Sequence, residues 1–437
     1  MNKCRKTPTL AETFDAYMGQ GNRSIITSLD LSLPMLTVLL LPSMALPSLP
    51  TLSHQEVKRY SRHLILDQFG THAQRTLKKS KILCVGSGGL GSPAITYLAA
   101  LGVGTIGIVD DDLVDESNLQ RQILHSTQAI NTPKVDSAQN RINEINPFVN
   151  VVSHKVRLSA SNALDILRGY DIIIDGSDNF PTRYLVNDAC EILGIPFVYG
   201  AVQKFEGQVS LFNFEGGPTY RDLFPDPPPP GSIPSCAEGG ILGVLPGVIG
   251  TIQATEAIKA LLRLGDSLSG RLLIYDAMRM RFHEVKLLSR PDREPIRGLI
   301  DYYGFCGQSK DDGEAVADSI ASTEPFTRVE VQRVHDLLSS GAWKPFVLDV
   351  RTAAECDIVS LSFTDKQYPH RQVEHLVPDL LSVAMERDIL VLCKGGVRSD
   401  AACVTLAAAG VSRERLFSLQ GGITAWAQQI DSSLPTY

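Results

Sequence analysis

A glycine-rich loop and one acidic residue are the first features of this sequence that could do chemistry. The stretch GSGGLG, residues 86–91, follows an apolar run typical of a strand and precedes a helical pattern. Glycine lets the backbone approach a phosphate, and a helix N-terminus offers it free N–H groups. Asp110, nineteen residues after Gly91, ends the next predicted strand. There its carboxylate could accept a hydrogen bond from a ribose hydroxyl. The pattern predicts a nucleotide site at Gly86, Gly88, Gly89, Gly91 and Asp110, without separating ATP from NAD or FAD.

Charged residues outside the loop favour ATP. Arg62, Arg121 and Lys134 supply cations, and Asp178 ends a further predicted strand. Attack on an α-phosphate needs neutralised charge at the leaving pyrophosphate and usually a carboxylate that holds Mg²⁺. An NAD-dependent oxidoreductase has no use for so many cations and would need a hydride-handling acid or base, which the sequence does not offer in the expected place. Any one of these residues alone is more simply explained as a surface charge or a helix cap, so the prediction of ATP depends on the whole set.

Cysteine chemistry is indicated at two further places. The stretch LVLCKGGVRSDAA, residues 390–402, passes from an apolar run through Cys393 and two glycines into a helix. The loop N–H groups, the helix N-terminus and Arg398 favour an anion, so Cys393 could carry a thiolate or persulfide. A buried inert cysteine and a phosphatase-like loop are the alternatives; no histidine precedes the cysteine, which disfavours the second. Cys236 lies in a small-residue loop before a helix, where a nucleophilic and a structural thiol are equally consistent with the pattern.

The apolar pattern predicts an α/β fold that would position these residues. A strand, a helix and a second strand at 81–112 make a βαβ unit with a parallel sheet. Runs at 171–179 and 196–214 extend that sheet, the second as an antiparallel hairpin or meander. Shorter runs at 346–351, 389–393 and 415–428 indicate a second, smaller α/β domain.

Length and composition agree with two domains. The chain has 437 residues, of which 43% are hydrophobic and 20% charged. The net charge of −7 argues against direct nucleic-acid binding. Eight cysteines without a C-x-x-C pair indicate a reducing compartment, which we take to be the cytosol. We predict an unassigned, disordered leader at 1–51, with a targeting segment as the alternative. Prolines interrupt the apolar run in this leader, so we predict no membrane span there. We predict two domains, at 52–307 and 326–437, joined by a polar linker at 308–325.

Residues 54–306 resemble the adenylating domain of the ubiquitin-activating superfamily, in particular its molybdopterin-synthase adenylyltransferase group. The motifs that carry the resemblance are RYxRxxxL, GxGGLG, DxDxVxxSNLxRQ, SDN and PPPP…C…GGxLG. The resemblance implies a Rossmann-like fold, Cys236 as the catalytic cysteine, Arg62 donated across a homodimer, and Mg²⁺ held by Asp178 through ATP. It implies ATP contacts at Gly89, Asp110, Ser117, Asn118, Leu119, Gln120, Arg121, Lys134, Asp178 and Asn179.

Residues 326–437 resemble a rhodanese domain, which follows the adenylating domain in the eukaryotic adenylyltransferase–sulfurtransferases. LDVR, CKGGVRS and GGITAW carry this resemblance, which implies a persulfide on Cys393. The implied activity is ATP-dependent adenylation of the C-terminal glycine of a ubiquitin-like sulfur carrier, followed by sulfur transfer to give a thiocarboxylate. The implied carriers are the ubiquitin-related modifier, for 2-thiolation of tRNA wobble uridine, and the small subunit of molybdopterin synthase, for molybdenum cofactor biosynthesis. A cysteine desulfurase would supply the sulfur.

Three departures accompany the resemblance. The family's structural zinc uses two C-x-x-C pairs, which would fall on Thr219 and Asp222 and within 283–295, where the sequence has no cysteine; we therefore predict no zinc. Cys306 matches a family cysteine outside that site and is predicted to be structural. The segment between Arg351 and Leu390 lacks the usual H-x-P-G-A stretch, which indicates local divergence or an imperfect gene model. A degenerate scaffold that binds a ubiquitin-like protein without catalysis is the alternative function.

Overall fold

A computed structural model describes residues 49–228, 240–290, 293–306 and 324–436. Most of the predicted leader and linker lies outside the described residues, as does Cys236.

The first domain is built on one mixed sheet. Its described strands are β1 (Lys81–Val85), β2 (Thr105–Val109), β3 (Asn150–His154), β4 (Ile172–Asp175), β5 (Phe197–Gln203), β6 (Glu206–Phe212), β7 (Arg271–Asp276) and β8 (Arg281–Lys286). They lie in the order β3-β2-β1-β4-β5-β6-β7-β8. The first five run parallel, and β6, β7 and β8 continue the sheet antiparallel. The predicted Rossmann-like α/β fold is confirmed, and the run at 196–214 forms the hairpin β5–β6.

Helices cover both faces of this sheet. They are α1 (His54–Leu64), α2 (Gly70–Lys79), α3 (Gly91–Leu101), α4 (Lys134–Ile145), α5 (Ala163–Leu167), α6 (Phe180–Leu193), α7 (Tyr220–Leu223), α8 (Val244–Leu262) and α9 (Tyr302–Phe305). Side chains alternate between the faces: Ile82 and Cys84 pack with α3 and α8, whereas Leu83 and Val85 pack with α6. The central strands are buried on both sides, so the carboxyl-terminal edge of the sheet is where a ligand can reach them.

The second domain has its own parallel sheet. Its described strands are β9 (Thr327–Val329), β10 (Phe346–Asp349), β11 (Lys366–Gln367), β12 (Ile389–Leu392) and β13 (Leu416–Leu419), in the order β11-β10-β12-β13-β9. The helices are α10 (Val331–Ser339), α11 (Ala353–Ile358), α12 (Val377–Glu386), α13 (Val397–Ala408) and α14 (Gly422–Gln429). The divergent segment after Arg351 folds into α11, β11, a 3₁₀ turn and α12, and it buries Val373, Leu376 and Leu380 in the core. The predicted smaller α/β domain is confirmed.

A buried ion pair explains the LDVR motif that ends β10. Arg351 is fully buried, and its Nη2 donates to Asp349 Oδ2 over 2.6 Å. The same guanidinium donates to the main-chain oxygens of Glu355 and Val359 over 3.3 and 2.8 Å. Arg351 therefore ties β10 to α11 and to the residue after it.

Replacing Arg351 by methionine should destabilise the second domain by about 3–5 kcal/mol, because it leaves the Asp349 carboxylate buried without its cation. Both tryptophans of the chain, Trp343 and Trp426, lie in this domain, so their fluorescence during denaturant unfolding measures the loss. Arg415→Met, which removes a partly exposed pair with Asp388, should cost about 0–1 kcal/mol and is the control. Equal losses in the two variants would contradict this account.

Candidate active sites

A cavity of about 310 Å³ opens where β1, β2 and β4 end. It brings together most of the predicted nucleotide-binding residues from distant parts of the chain. Those lining it are Gly86, Gly88, Gly89, Asp110, Arg121, Lys134, Asp178 and Asn179. Its position at the carboxyl ends of parallel strands is the usual place for a ligand in such a sheet.

The glycine loop keeps its shape by close backbone packing. A Cβ on Gly91 would lie 2.1 Å from the carbonyl oxygen of Gly86, so only glycine fits where α3 begins. Asp110 stabilises the same loop, because its Oδ2 accepts from the backbone N and the Oγ of Ser87 over 2.8 and 2.9 Å. His125 holds the other side of Ser87, with its Nε2 3.0 Å from the Ser87 carbonyl oxygen. Contacts within the chain thus hold the loop in this conformation.

Arg121 is aimed by its neighbours. Its Nη2 donates to Asn118 Oδ1 over 2.7 Å and its Nη1 to the Ser117 carbonyl over 3.3 Å. Ser117 and Asn118 are not among the described cavity-lining residues, and neither are Leu119 and Gln120. The structure therefore gives Ser117 and Asn118 an orienting position behind Arg121.

Cations form ion pairs with carboxylates in the rest of the cavity lining. Lys134, only 5% exposed, begins α4 and places its Nζ 2.6 Å from Asp112 Oδ2. Arg157 Nε lies 3.0 Å from Asp111 Oδ2. Asp110, Asp111 and Asp112 bring carboxylate oxygens within 4.8 Å of one another. A bound triphosphate could therefore replace the exposed Asp112 as the partner of Lys134 at little cost in free energy.

Asp178 and Asn179 lie at the end of β4. Asp178 is exposed to the cavity, where it could hold a cation bound to phosphate oxygens. Asn179 is the N-cap of α6, with its Oδ1 accepting from Thr182 N over 3.0 Å. Its side chain thus has a structural partner in addition to the predicted ligand.

The cavity lining includes Arg157, Arg183 and Tyr303, which the sequence prediction did not name. Arg157 follows β3, Arg183 lies inside α6, and Tyr303 is in α9. Arg183 is buried, and its Nη2 donates to the Ser177 carbonyl over 3.2 Å. The spacing of Arg183 after the SDN motif is a local signal that could have identified it, whereas Tyr303 reaches the cavity only through the fold.

Two further predicted catalytic residues are Arg62 and Cys236. Arg62 is exposed on α1 and is not among the described residues that line the cavity. Cys236 is outside the described residues.

Cys393 ends β12 in a loop that offers its sulfur an N–H group. Gly396 N donates to Cys393 Sγ over 3.1 Å, and Ser399 Oγ lies 3.5 Å from the same sulfur. Gly396 has a φ of 101° and caps α13, which begins at Val397. The carbonyls of Cys393 and Lys394 accept from Ile423 and Thr424, so the GGITAW segment fastens the loop. This arrangement directs a backbone donor and a helix N-terminus at one sulfur.

Arg398 has a carboxylate partner that the sequence pattern does not reveal. Its two terminal nitrogens donate to both oxygens of Glu355 over 2.9 and 2.6 Å. The guanidinium therefore ties the loop to α11, and Glu355 balances its charge. The described donor on the Cys393 sulfur is the backbone of Gly396.

The pair also predicts a pH dependence. Burial would raise the pKa of Glu355, but hydrogen bonds from Arg398 and Thr352 outweigh it and hold the pKa at about 2, below the ordinary 4.5. The stabilisation is therefore complete above pH 4.5 and is lost as the pH falls towards 2. Tryptophan fluorescence should show a less steep loss of stability in this window for Glu355→Gln than for the wild type. Parallel curves would refute the assignment.

The other described cysteines are held as thiols. Burial raises the pKa of Cys84 to about 12 and of Cys306 and Cys356 to about 11, and it raises the pKa of Cys190 and Cys403 as well. A thiol at such a pKa is a poor nucleophile. Cys306 also lies in the core cluster that includes residues of α6, as a structural residue would.

The residues at the expected zinc positions do not fit the metal. Thr219 N and Oγ1 bond to Asp222 Oδ2 over 2.8 and 3.1 Å and cap α7. Asp222 Oδ1 accepts from Arg290 N over 2.9 Å, and Arg293 Nε lies 3.5 Å from it. Both carboxylate oxygens are occupied, and the neighbouring groups are donors rather than ligands.

Comparisons with known proteins place each domain in a family. Residues 60–296 match the ThiF family, and residues 330–429 match the rhodanese-like domain. A probable adenylyltransferase/sulfurtransferase, MoeZ, of Mycobacterium tuberculosis is 43% identical over 402 residues, covering 91% of this chain and 99% of the relative. The adenylyltransferase and sulfurtransferase MOCS3 of Sus scrofa is 40% identical over 421 residues and covers 91% of each chain. Because a bacterial relative matches over the same length, the comparisons support the domain pair and not a eukaryotic origin.

Two further comparisons concern the first domain. The sulfur carrier protein adenylyltransferase of Thermus thermophilus is 49% identical over 264 residues, covering 58% of this chain and 97% of the relative. A crystal structure of E. coli MccB with MccA-N7isoASN aligns with a TM-score of 0.50 at 20% identity, over 55% of this chain and 74% of that chain, which shows a shared fold. Among the described helices, none is long and apolar enough to cross a bilayer. The chain belongs to the ThiF family and, with its rhodanese-like domain, is an adenylyltransferase and sulfurtransferase.

Proposed function

We propose that this enzyme adenylates the C-terminal glycine carboxylate of a ubiquitin-like sulfur carrier and then transfers persulfide sulfur to it. One observation carries the proposal: a single chain holds a cation-lined cavity at a glycine loop and a cysteine sulfur that accepts a backbone N–H at a helix N-terminus. The relative from Thermus thermophilus, named for a sulfur carrier, supports the choice of substrate.

The first step uses the cavity of the ThiF domain. The glycine loop would hold the phosphates of MgATP, and Asp178 would hold the Mg²⁺ that enters with it. Arg121 and Lys134 would neutralise charge as a carrier carboxylate oxygen attacks the α-phosphorus and pyrophosphate leaves. The product is an acyl-adenylate, whose AMP is a far better leaving group than the carboxylate oxygen.

The second step uses Cys393 loaded with one sulfur. Its terminal persulfide sulfur would attack the acyl carbon, releasing AMP and forming an acyl disulfide. A second thiol would then attack the Cys393 sulfur of that link, so that a disulfide forms and the carrier leaves as a thiocarboxylate. Cys236 is the proposed second thiol; a thioester on Cys236 is the alternative for the same residue.

The finer features of the proposal follow the resemblance. The ubiquitin-related modifier and the small subunit of molybdopterin synthase are the proposed carriers, for tRNA thiolation and molybdenum cofactor biosynthesis. A cysteine desulfurase is the proposed sulfur donor, and a cytosolic homodimer the proposed working form. The exposed position of Arg62 supports donation across a dimer, and the described cysteines, all free, support a reducing compartment.

ATP–pyrophosphate exchange tests the proposed substrate. Exchange should require a carrier with an intact C-terminal glycine and should stop when that glycine is deleted. Exchange independent of the carrier would contradict the assignment, and binding of the carrier without any exchange would favour a degenerate scaffold.

A further inference from the structure

Two carboxylates fasten a segment of the first domain that lacks regular structure. The described residues between Leu287 and Ile300 form neither helix nor strand. Within this segment Arg293 Nη1 donates to Glu191 Oε1 and Oε2 over 3.1 and 2.8 Å. Its Nε lies 3.5 Å from Asp222 Oδ1. One guanidinium thus links the segment to α6, which carries Glu191, and to α7, which carries Asp222.

The backbone of the segment uses the same carboxylates. Ile296 N donates to Glu191 Oε1 over 3.0 Å, and Arg290 N donates to Asp222 Oδ1 over 2.9 Å. The side chains of Arg293, Glu191 and Asp222 are 22%, 13% and 3% exposed, so water competes weakly for these bonds. Charge-assisted bonds in such an environment are worth more than surface ion pairs.

The segment leads directly to the nucleotide cavity. It continues into α9, where Tyr302 Oη donates to the buried Asp188 over 2.8 Å. Arg221, beside Asp222, reaches the same carboxylate with its Nε over 2.7 Å. The next residue, Tyr303, lines the cavity. Tyr303 thus follows directly on the segment that these carboxylates hold.

The four residues that meet here have the sequence spacing of a zinc site but not the side chains that bind zinc. Thr219 and Asp222 are separated by two residues, as are Arg290 and Arg293, and Asp222 contacts the other three. A zinc site built from two C-x-x-C pairs has this spacing. We propose that the Arg293 clasp, in which Arg293 binds Glu191 and Asp222, fastens this segment without a metal and positions Tyr303 at the nucleotide cavity. Arg293 is thereby a positioning residue for the adenylation reaction.

Substitution of the clasp tests its positioning role. Arg293→Gln and Glu191→Gln should each raise the KM for ATP in pyrophosphate exchange several-fold, with a much smaller change in kcat, and the double variant should be no worse than the poorer single one. Arg263→Gln is the control, since its pair with Glu215 is 80% and 54% exposed. A folded Arg293→Gln protein with an unchanged KM for ATP, or losses that add in the double variant, would overturn the proposal.

Metal analysis tests the same clasp independently of activity. The full-length wild-type chain should contain no stoichiometric zinc as purified, and its calorimetric unfolding temperature should not change after treatment with EDTA and dialysis. Stoichiometric zinc, or a lower unfolding temperature after chelation, would overturn the proposal. A variant that combines Thr219→Cys, Asp222→Cys, Arg290→Cys and Arg293→Cys should bind one zinc. Failure of the folded variant to bind zinc would contradict the convergence of these four positions. The positioning role rests on the proposed adenylation by this chain, whereas zinc content, unfolding temperature and zinc binding by the variant do not depend on it.

Discussion

Replacing Cys393 by alanine should abolish sulfur transfer while pyrophosphate exchange by the ThiF domain continues unchanged. Transfer to the carrier should fall by at least about 10³-fold, because removal of a covalent nucleophile leaves no route for the persulfide. The other described cysteines cannot substitute, since burial raises the pKa of each of them. Thiocarboxylate formation with a radiolabelled or isotopically heavy sulfur donor measures the loss.

Cys356→Ala is the matched control for this experiment. Cys356 lies in the same domain and is partly exposed, but its sulfur is 3.5 Å from Asp349 Oδ2 and not in the loop. Transfer should survive this substitution. Transfer that persists in Cys393→Ala, or disappears equally in both variants, would refute the assignment of the persulfide to Cys393.

Replacing Lys134 by alanine should lower the kcat of adenylation by about 10²–10³-fold, because a buried ammonium no longer offsets charge on the phosphates during attack. Lys134 lies at the start of α4 with only Asp112 as its described ion-pair partner, and Asp112 is 61% exposed. Loss of that pair alone should cost little stability. Exchange kinetics at saturating ATP and carrier measure the effect.

Two controls separate charge stabilisation from misfolding. Lys155→Ala removes an exposed pair with Asp136 and should leave exchange unchanged. Transfer of sulfur from thiosulfate to cyanide by the second domain of Lys134→Ala should also be unchanged. Wild-type exchange in Lys134→Ala would show that the cavity does not act on the phosphates in the proposed way.

Local sequence patterns were enough to predict the fold around the two candidate sites of this enzyme. The glycine loop and the buried strands around it are encoded over a few residues, because glycine spacing and apolar runs report directly on backbone geometry. The loop at Cys393 is similarly local, with Gly396 two residues after Lys394. These features were predicted because neighbours in sequence determine them.

Features that depend on distant contacts were missed. The pairing of Arg398 with Glu355, 43 residues away, is one of them. Arg293 bonds to Glu191 at a separation of 102 residues, and Tyr303 lines a cavity built mainly from residues far earlier in the chain. Such partners are set by tertiary packing, which no single-sequence pattern reports.

The most direct test of the account is the intact mass of a ubiquitin-like sulfur carrier after incubation with this enzyme, MgATP and a sulfur donor. The account predicts that one oxygen of the C-terminal carboxylate is replaced by one sulfur, that the exchange requires ATP, and that it disappears in Cys393→Ala. ATP-dependent pyrophosphate release with no change in carrier mass would contradict the coupling of the two domains in one reaction.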